Sequence, residues 1–216
     1  SILAPNEKKD FFKNLSLKPV VEKVGLDGSD VERKSPVFKI ILDNGIRLIV
    51  KENPSISIVS IQVSFLGGVR FEEEIQNGIN HFMAVMVTKG TRNQSSLEIA
   101  KKVERMAGSL NGFSGYNSFG LTFTFLSQHF EEAFRLLTEV IRQPSFDKEE
   151  MEKRRRFILA SIQRQEDELG LLVFKLFRKT LYEKHPYRMD SLGTVYSMQR
   201  LTQEDLRKYY QRTVIP

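Results

Sequence analysis

The chain predicts an α+β fold, a mainly antiparallel sheet with helices packed on one face. Three observations carry this. Strand-like runs crowd residues 37–65 around an Asn-Gly turn, helical periodicity with recognisable caps dominates from residue 78 onward, and one alternating strand at 119–126 returns among the helices. Strands gathered ahead of the helices, rather than alternating with them, do not build a parallel βαβ sheet. At 216 residues, 40% of them hydrophobic, the chain is long enough to bury a sizeable core.

Residues 1–36 are mixed and polar, broken by Gly25, Gly28 and Pro36, and read as a linker or N-terminal arm ahead of a domain at 37–216. Phe38-Lys39-Ile40-Ile41-Leu42 and Ile46-Arg47-Leu48-Ile49-Val50 flank Asp43-Asn44-Gly45, the signature of a β-hairpin. A third strand, about 57–65, ends at Gly67-Gly68. Residues 78–88 place Ile79, Phe82, Met83 and Met86 at helical spacing. Ser95 with Glu98 forms a capping box for a helix that Gly108 ends. Leu121, Phe123 and Phe125 alternate with Thr122 and Thr124, as in a half-buried strand. From Ser127 the next helix turns Phe130, Ala133, Phe134, Leu137, Val140 and Ile141 inward. Asp147 with Glu150 caps a long helix to about Glu168, another occupies 171–183, and Thr202 with Asp205 caps the last.

Composition removes several classes of function. The net charge of +6 with 28% charged residues fits a solvated surface. The one tight basic cluster, Lys153-Arg154-Arg155-Arg156, lies in a helical pattern without a zinc-finger spacing or RNA-recognition signature, and there is no Trp, so no nucleic-acid partner is expected. There is no cysteine, which excludes disulfides and thiolate metal sites but leaves the compartment open. No apolar run reaches the ~18 residues of a membrane span. The chain opens on Ser1 without a secretory signal and closes on Val214-Ile215-Pro216, and is expected to be a fragment of a longer, multi-repeat chain.

An ordered set of motifs then resembles the M16 metallopeptidases, the pitrilysin, insulinase and mitochondrial processing peptidase family. Asp43-Asn44-Gly45-Ile46-Arg47-Leu48 is similar to their opening hairpin, and Gly78-Ile79-Asn80-His81 with Lys89-Gly90-Thr91 to the segment carrying their zinc motif. Ala107-Gly108-Ser109-Leu110-Asn111, Pro144-Ser145-Phe146-Asp147, His185-Pro186-Tyr187 and Gly193-Thr194 follow in the family's order. The family's inverted motif, H-x-x-E-H, sets two His ligands and a general-base Glu on one helix face, and a Glu on a second helix completes the zinc site. The matching positions here read His81-Phe82-Met83-Ala84-Val85, and helix register puts Ser161 at the third ligand. The first His stands; the base is Ala84, the second ligand Val85 and the third Ser161. The resemblance therefore implies no catalytic residue, no metal and no cofactor in this domain, with His81 a partly buried, hydrogen-bonded imidazole.

Other candidates carry less. His129-Phe130-Glu131-Glu132 lacks a second His and falls on the polar face of a helix. His185 precedes Pro186 at a turn, Glu72-Glu73-Glu74 reads as a solvated acidic run, and Gly67-Gly68 lacks nucleotide-binding spacing. In active members of the family the strand matching Leu110–Ser118 is an edge that pairs with extended substrate. Here Asn111, Gly112, Phe113, Ser114, Gly115 and Tyr116 are its candidate substrate-binding residues, the two glycines permitting close backbone approach. The expected function is a non-catalytic M16 domain that helps form the substrate chamber of a zinc metallopeptidase. Its partners would be an active M16 domain, in the same chain or a partner subunit, and an extended peptide. The alternative is a structural scaffold subunit, like the core proteins of a respiratory complex.

Overall fold

The computed structural model describes residues 37–214; the arm expected at 1–36 lies outside the described residues. The chain divides into two compact units between Ser57 and Ile58. The first holds the hairpin, β1 (Val37–Ile41) and β2 (Arg47–Lys51), paired antiparallel from Val37↔Lys51 to Ile41↔Arg47. The Asn-Gly turn forms as expected: Leu42 N–H donates to the Ile46 carbonyl at 2.8 Å, and Gly45 takes φ +81°, a conformation glycine adopts without strain.

The second unit is built on a three-stranded antiparallel sheet of order β3-β5-β4, made of β3 (Ile58–Leu66), β4 (Ser109–Ser114) and β5 (Ser118–Leu126). Its helices are α1 (Ile79–Val87), α2 (Ser96–Arg105), α3 (Phe130–Arg142), α4 (Lys148–Asp167), α5 (Leu169–Leu181), α6 (Val195–Arg200) and α7 (Gln203–Val214). Alternation decides the faces: Val59, Ile61, Val63 and Phe65 of β3 pack against the core, while Ser60, Gln62 and Ser64 between them stay exposed. Central β5 supplies Phe119, Leu121, Phe123 and Phe125, all buried, and Phe82, Met83 and Met86 of α1, Leu137 of α3, Ile162 of α4 and Tyr209 of α7 close over them. The α+β architecture with helices on one face of an antiparallel sheet is thus the observed one.

The caps hold. Ser95 and Glu98 form a reciprocal capping box, the Asp147 carboxylate accepts from Glu150 N–H, and the Asp205 carboxylate accepts from both Thr202 N–H and its hydroxyl. Three expectations need correction. Phe134 is 51% exposed, because α3 buries the stripe Ala133, Leu136, Leu137 and Val140 and turns Phe134 away. The strand expected over Leu110–Ser118 ends at Ser114, because residues 115–117 form the turn that reverses the chain into β5. The helix ended by Gly108 does so differently than read: Ala107, not Gly108, takes the left-handed conformation, φ +47°. Gly108 N–H donates to Val103 O and Ala107 N–H to Glu104 O, a Schellman arrangement. Gly108 is required for space, since a Cβ there would lie 2.6 Å from the Thr124 carbonyl oxygen.

Candidate functional site

The site grows from the N-terminus of α1. Gly78, at φ +88°, turns the chain into the helix, and the carboxylate of Glu72 covers its first turn. Glu72 Oε2 accepts from Gly78 N–H and from the Asn77 amide, both at 2.8 Å, and Oε1 accepts from Asn80 N–H at 3.0 Å. An anion there complements the free N–H groups and the positive end of the helix dipole. Glu72 is only 6% exposed. Burial pushes its pKa up from the ordinary carboxylate value, against the three hydrogen bonds that pull it down. The acidic run is therefore not one solvated stretch: Glu72 is a buried cap, Glu74 pairs with Arg188 at 2.5 Å, and Glu73 is exposed.

Asn80 is fully buried and joins three elements. Its amide donates to the Ser114 hydroxyl at the end of β4 (2.5 Å), its carbonyl accepts from the Tyr209 hydroxyl of α7 (3.3 Å), and its backbone N–H meets Glu72. Sequence reasoning read Glu72 as part of a solvated run and gave Asn80 no role of its own. For Asn80 the available signal was a polar side chain set between Ile79 and the apolar stripe of a helix, which must find partners when buried.

His81, Ala84 and Val85 follow on one helix face. His81 is half-buried; burial lowers its pKa, and the nearby Asp190 carboxylate partly restores it. Ala84 is buried at 2% exposure, and Val85 is half-buried. Gly112 of β4 lies directly against this turn, where any side chain would collide with the Ala84 carbonyl and crowd Val85 N–H. The structure so brings together two groups of residues singled out separately, the His81–Val85 turn and the β4 segment. Ser161 sits on α4, which packs against α1, and its hydroxyl donates to the Phe157 carbonyl at 3.0 Å.

Among the described residues β4 is the end strand of its sheet, paired on one side only. Gly115 N–H donates to Ser118 O at 2.8 Å. By the alternation of an antiparallel ladder, Phe113 and Asn111 then face β5 with their backbone groups, while Ser114, Gly112 and Leu110 direct theirs to the open edge. Gly115 and Tyr116 lie beyond the strand; their carbonyls already accept from Val69 and Arg70 N–H. Tyr116 instead joins an aromatic cluster, edge-on to Tyr187 at 5.2 Å, and the Tyr187 hydroxyl donates to Asn117 Oδ1 at 2.7 Å. His185 Nδ1 accepts from Tyr187 N–H, the turn expected there. His129 precedes α3, whose Glu131 and Glu132 are exposed, as its polar face required.

A capped helix thus lies beneath the edge strand of an antiparallel sheet, and comparison with known proteins identifies the family. The sequence profile of the insulinase family, peptidase family M16, matches residues 47–195, and the chain belongs to that family. It is 30% identical over 166 residues to an uncharacterized zinc protease of Bacillus subtilis, YmxG, covering 77% of this chain and 41% of that protein. It is 28% identical over 171 residues to subunit 1 of the bovine mitochondrial cytochrome b-c1 complex, covering 79% and 35% respectively. The fold matches the M16 inactive domain from Pseudomonas fluorescens with a TM-score of 0.74 at 21% identity, covering 80% of this chain and 42% of that one. The chain thus spans less than half the length of these relatives. Among the described residues no helix is long and apolar enough to cross a membrane.

Proposed function

We propose that this chain is a non-catalytic M16 domain that helps form the substrate chamber of a zinc metallopeptidase, beside an active M16 domain in the same chain or a partner subunit. The observation that carries the reading is the edge of β4, unpaired among the described residues, lying across the turn where the family sets its zinc motif. A catalytic zinc takes three protein ligands and an open position. Ala84 and Val85 offer no donor atom, and the Ser161 hydroxyl is engaged on its own helix. Among the described residues no three His, Asp or Glu side chains converge. The residues present do not fit the metal, and no hydrolytic step is assigned to them.

What β4 offers is backbone. The outward N–H and C=O groups of Leu110, Gly112 and Ser114 accept an extended peptide as an added strand, with Asn111 and Phe113 on the opposite face of the strand. Such pairing holds a peptide with little regard for its sequence, as a chamber requires. A second reading, a structural subunit, is favoured by the similarity to the cytochrome b-c1 subunit.

Two variants of the full chain separate these. Ser114→Ala removes the hydroxyl that Asn80 binds; Ser114→Pro removes in addition the outward N–H. A fluorescent extended peptide is expected to bind the Pro variant up to roughly tenfold more weakly than the Ala variant, the value of one hydrogen bond, with similar melting temperatures. Equal binding by both, or none by the wild type, favours the scaffold. About one zinc per chain by elemental analysis, lost on replacing His81, would sink the non-catalytic reading.

A further inference from the structure

Helix α5 wears its polarity inside out. A helix on a globular core turns an apolar stripe inward and polar residues to water. In α5 no residue is fully buried, and the outward face carries Leu169, Val173, Phe174, Leu176, Phe177 and Leu181, each more than half exposed. Inward it turns cations. Arg178 is engaged there: it pairs with Asp190 at 3.4 Å and lies over the Tyr116 ring at 5.9 Å. Lys175, half-buried, and Lys179, exposed, line an open cleft of 680 Å³ that the end of α4 and the start of α6 also line. Part of the lining is apolar, from Ile162, Met189, Val195 and Tyr196. Of the acids in the lining, Glu74 is taken by Arg188 at 2.5 Å, and the Asp190 carboxylate by Arg178 and by Leu192 N–H. Among the described residues, Lys175, Lys179 and Glu166 of this cleft have no ion-pair partner. Two ammonium groups therefore stand against one carboxylate. Like charges one helical turn apart repel, and a half-buried ammonium without a counter-ion is costly. A bound carboxylate relieves both.

We propose that this cleft is a binding site for a ligand with one carboxylate on an apolar body, the carboxylate held by Lys175 and Lys179. The proposal does not depend on the chamber reading. The cleft falls within the roughly 300–1,000 Å³ of small-ligand sites, whose usual makeup is an apolar lining with a few charged groups. An ammonium on a flexible stem donates from several directions, so the lysine pair closes on a carboxylate that enters between them. The apolar lining takes the body of the ligand. Glu166 works in the opposite sense: it repels a second acid, which favours a ligand carrying one carboxylate over a polyanion. The same chemistry is offered by a glutamate side chain on a peptide and by a free organic acid.

Calorimetric titration of the full chain tests this with three probes: the end-blocked peptide Ala-Leu-Glu-Leu-Ala, its glutamine counterpart, and hexanoate. The wild type is expected to bind the glutamate peptide about tenfold more tightly than the glutamine one, the value of a charge-assisted hydrogen bond. The double variant Lys175→Gln, Lys179→Gln is expected to lose that preference with unchanged circular dichroism. Lys179→Gln alone, at an exposed position, is expected to lose part of it, and serves if the double variant folds poorly. Glu166→Gln is expected to bind the glutamate peptide several-fold more tightly at low salt, because a repelling charge is gone. The two sources separate by competition. Hexanoate that displaces the peptide shows that a free acid suffices; hexanoate that does not shows that the acid must be borne by a peptide. A wild type that binds neither the glutamate peptide nor hexanoate at millimolar concentration overturns the proposal. So do equal affinities for the two peptides, a preference that survives in the double variant, or a Glu166→Gln variant that binds more weakly.

Discussion

At Ala107 an L-residue holds a left-handed backbone, φ +47°, beside a glycine whose freedom the helix end does not use. The left-handed region costs a residue with a Cβ roughly 1–2 kcal/mol, partly offset by the larger unfolded-state entropy of glycine. Ala107→Gly is therefore expected to raise the melting temperature slightly, by about 1–3 °C. Gly108→Ala is expected to lower it, because its methyl meets the Thr124 carbonyl of β5. A calorimetric scan giving the opposite order would show that space does not govern Gly108. The pattern Ala-Gly after a helix marked the stop correctly in the sequence; which of the two carried the strain depended on β5, a neighbour distant in the chain.

The helices show the same division between what is local and what is not. Ser95, Asp147 and Thr202 announced their helix starts because a cap is settled within four residues. The basic cluster did not announce its roles. Arg155, read with its neighbours only as a helical basic cluster without a nucleic-acid signature, donates to the carbonyls of Met198 and, at 2.7 Å, Leu201, at and just past the end of α6, and its guanidinium lies over the Phe82 ring at 5.4 Å. It ties α4 to α6 and α1. Arg155→Ala leaves the two carbonyls without this donor and is expected to cost about 2–4 kcal/mol, or roughly 5–10 °C. Arg155→Lys, keeping charge but not the two-pronged donor, is expected to recover less than half of it. Thermal melts of both variants measure this; a lysine variant equal to wild type would mean that charge alone suffices. Glu72 was hidden for the same reason, since its partners at Gly78 and Asn80 become a helix N-terminus only once α1 is in place. The hairpin turn, the alternation of β5 and the His81–Val85 spacing were legible because each repeats a short-range period. The outward face of α5 was legible as a helix, but not as a reversed one.

Across the whole molecule, stability should carry two opposing titrations. Glu72 has its pKa raised above the ordinary 4.5 by burial, so the stability it contributes is full below about pH 4.5 and falls as pH rises through the higher folded value. His81 has its pKa lowered from 6.5 by burial, so its contribution is present above about pH 6.5 and is lost as pH falls through the lower folded value. Glu72→Gln is expected to be less stable than wild type at every pH, by about 1–3 kcal/mol at pH 4.5 for its broken cap, with the gap narrowing toward neutrality. His81→Asn is expected to do the reverse, its gap from wild type widening from pH 5 to 7. Melting curves at half-unit pH steps test both, and parallel profiles for wild type and variant would show that the residue does not titrate between the folded and unfolded states.

The contact between Gly112 and Ala84 bears on how such a domain can change over generations. With the Gly112 backbone pressed against the Ala84 carbonyl and Ala84 only 2% exposed, a carboxylate introduced at position 84 would be buried away from water. On the family resemblance, the first mutational step back toward a general base would be harmful before any later step could reward it. On the proposed non-catalytic reading, geometry as well as sequence then keeps a general base away from position 84.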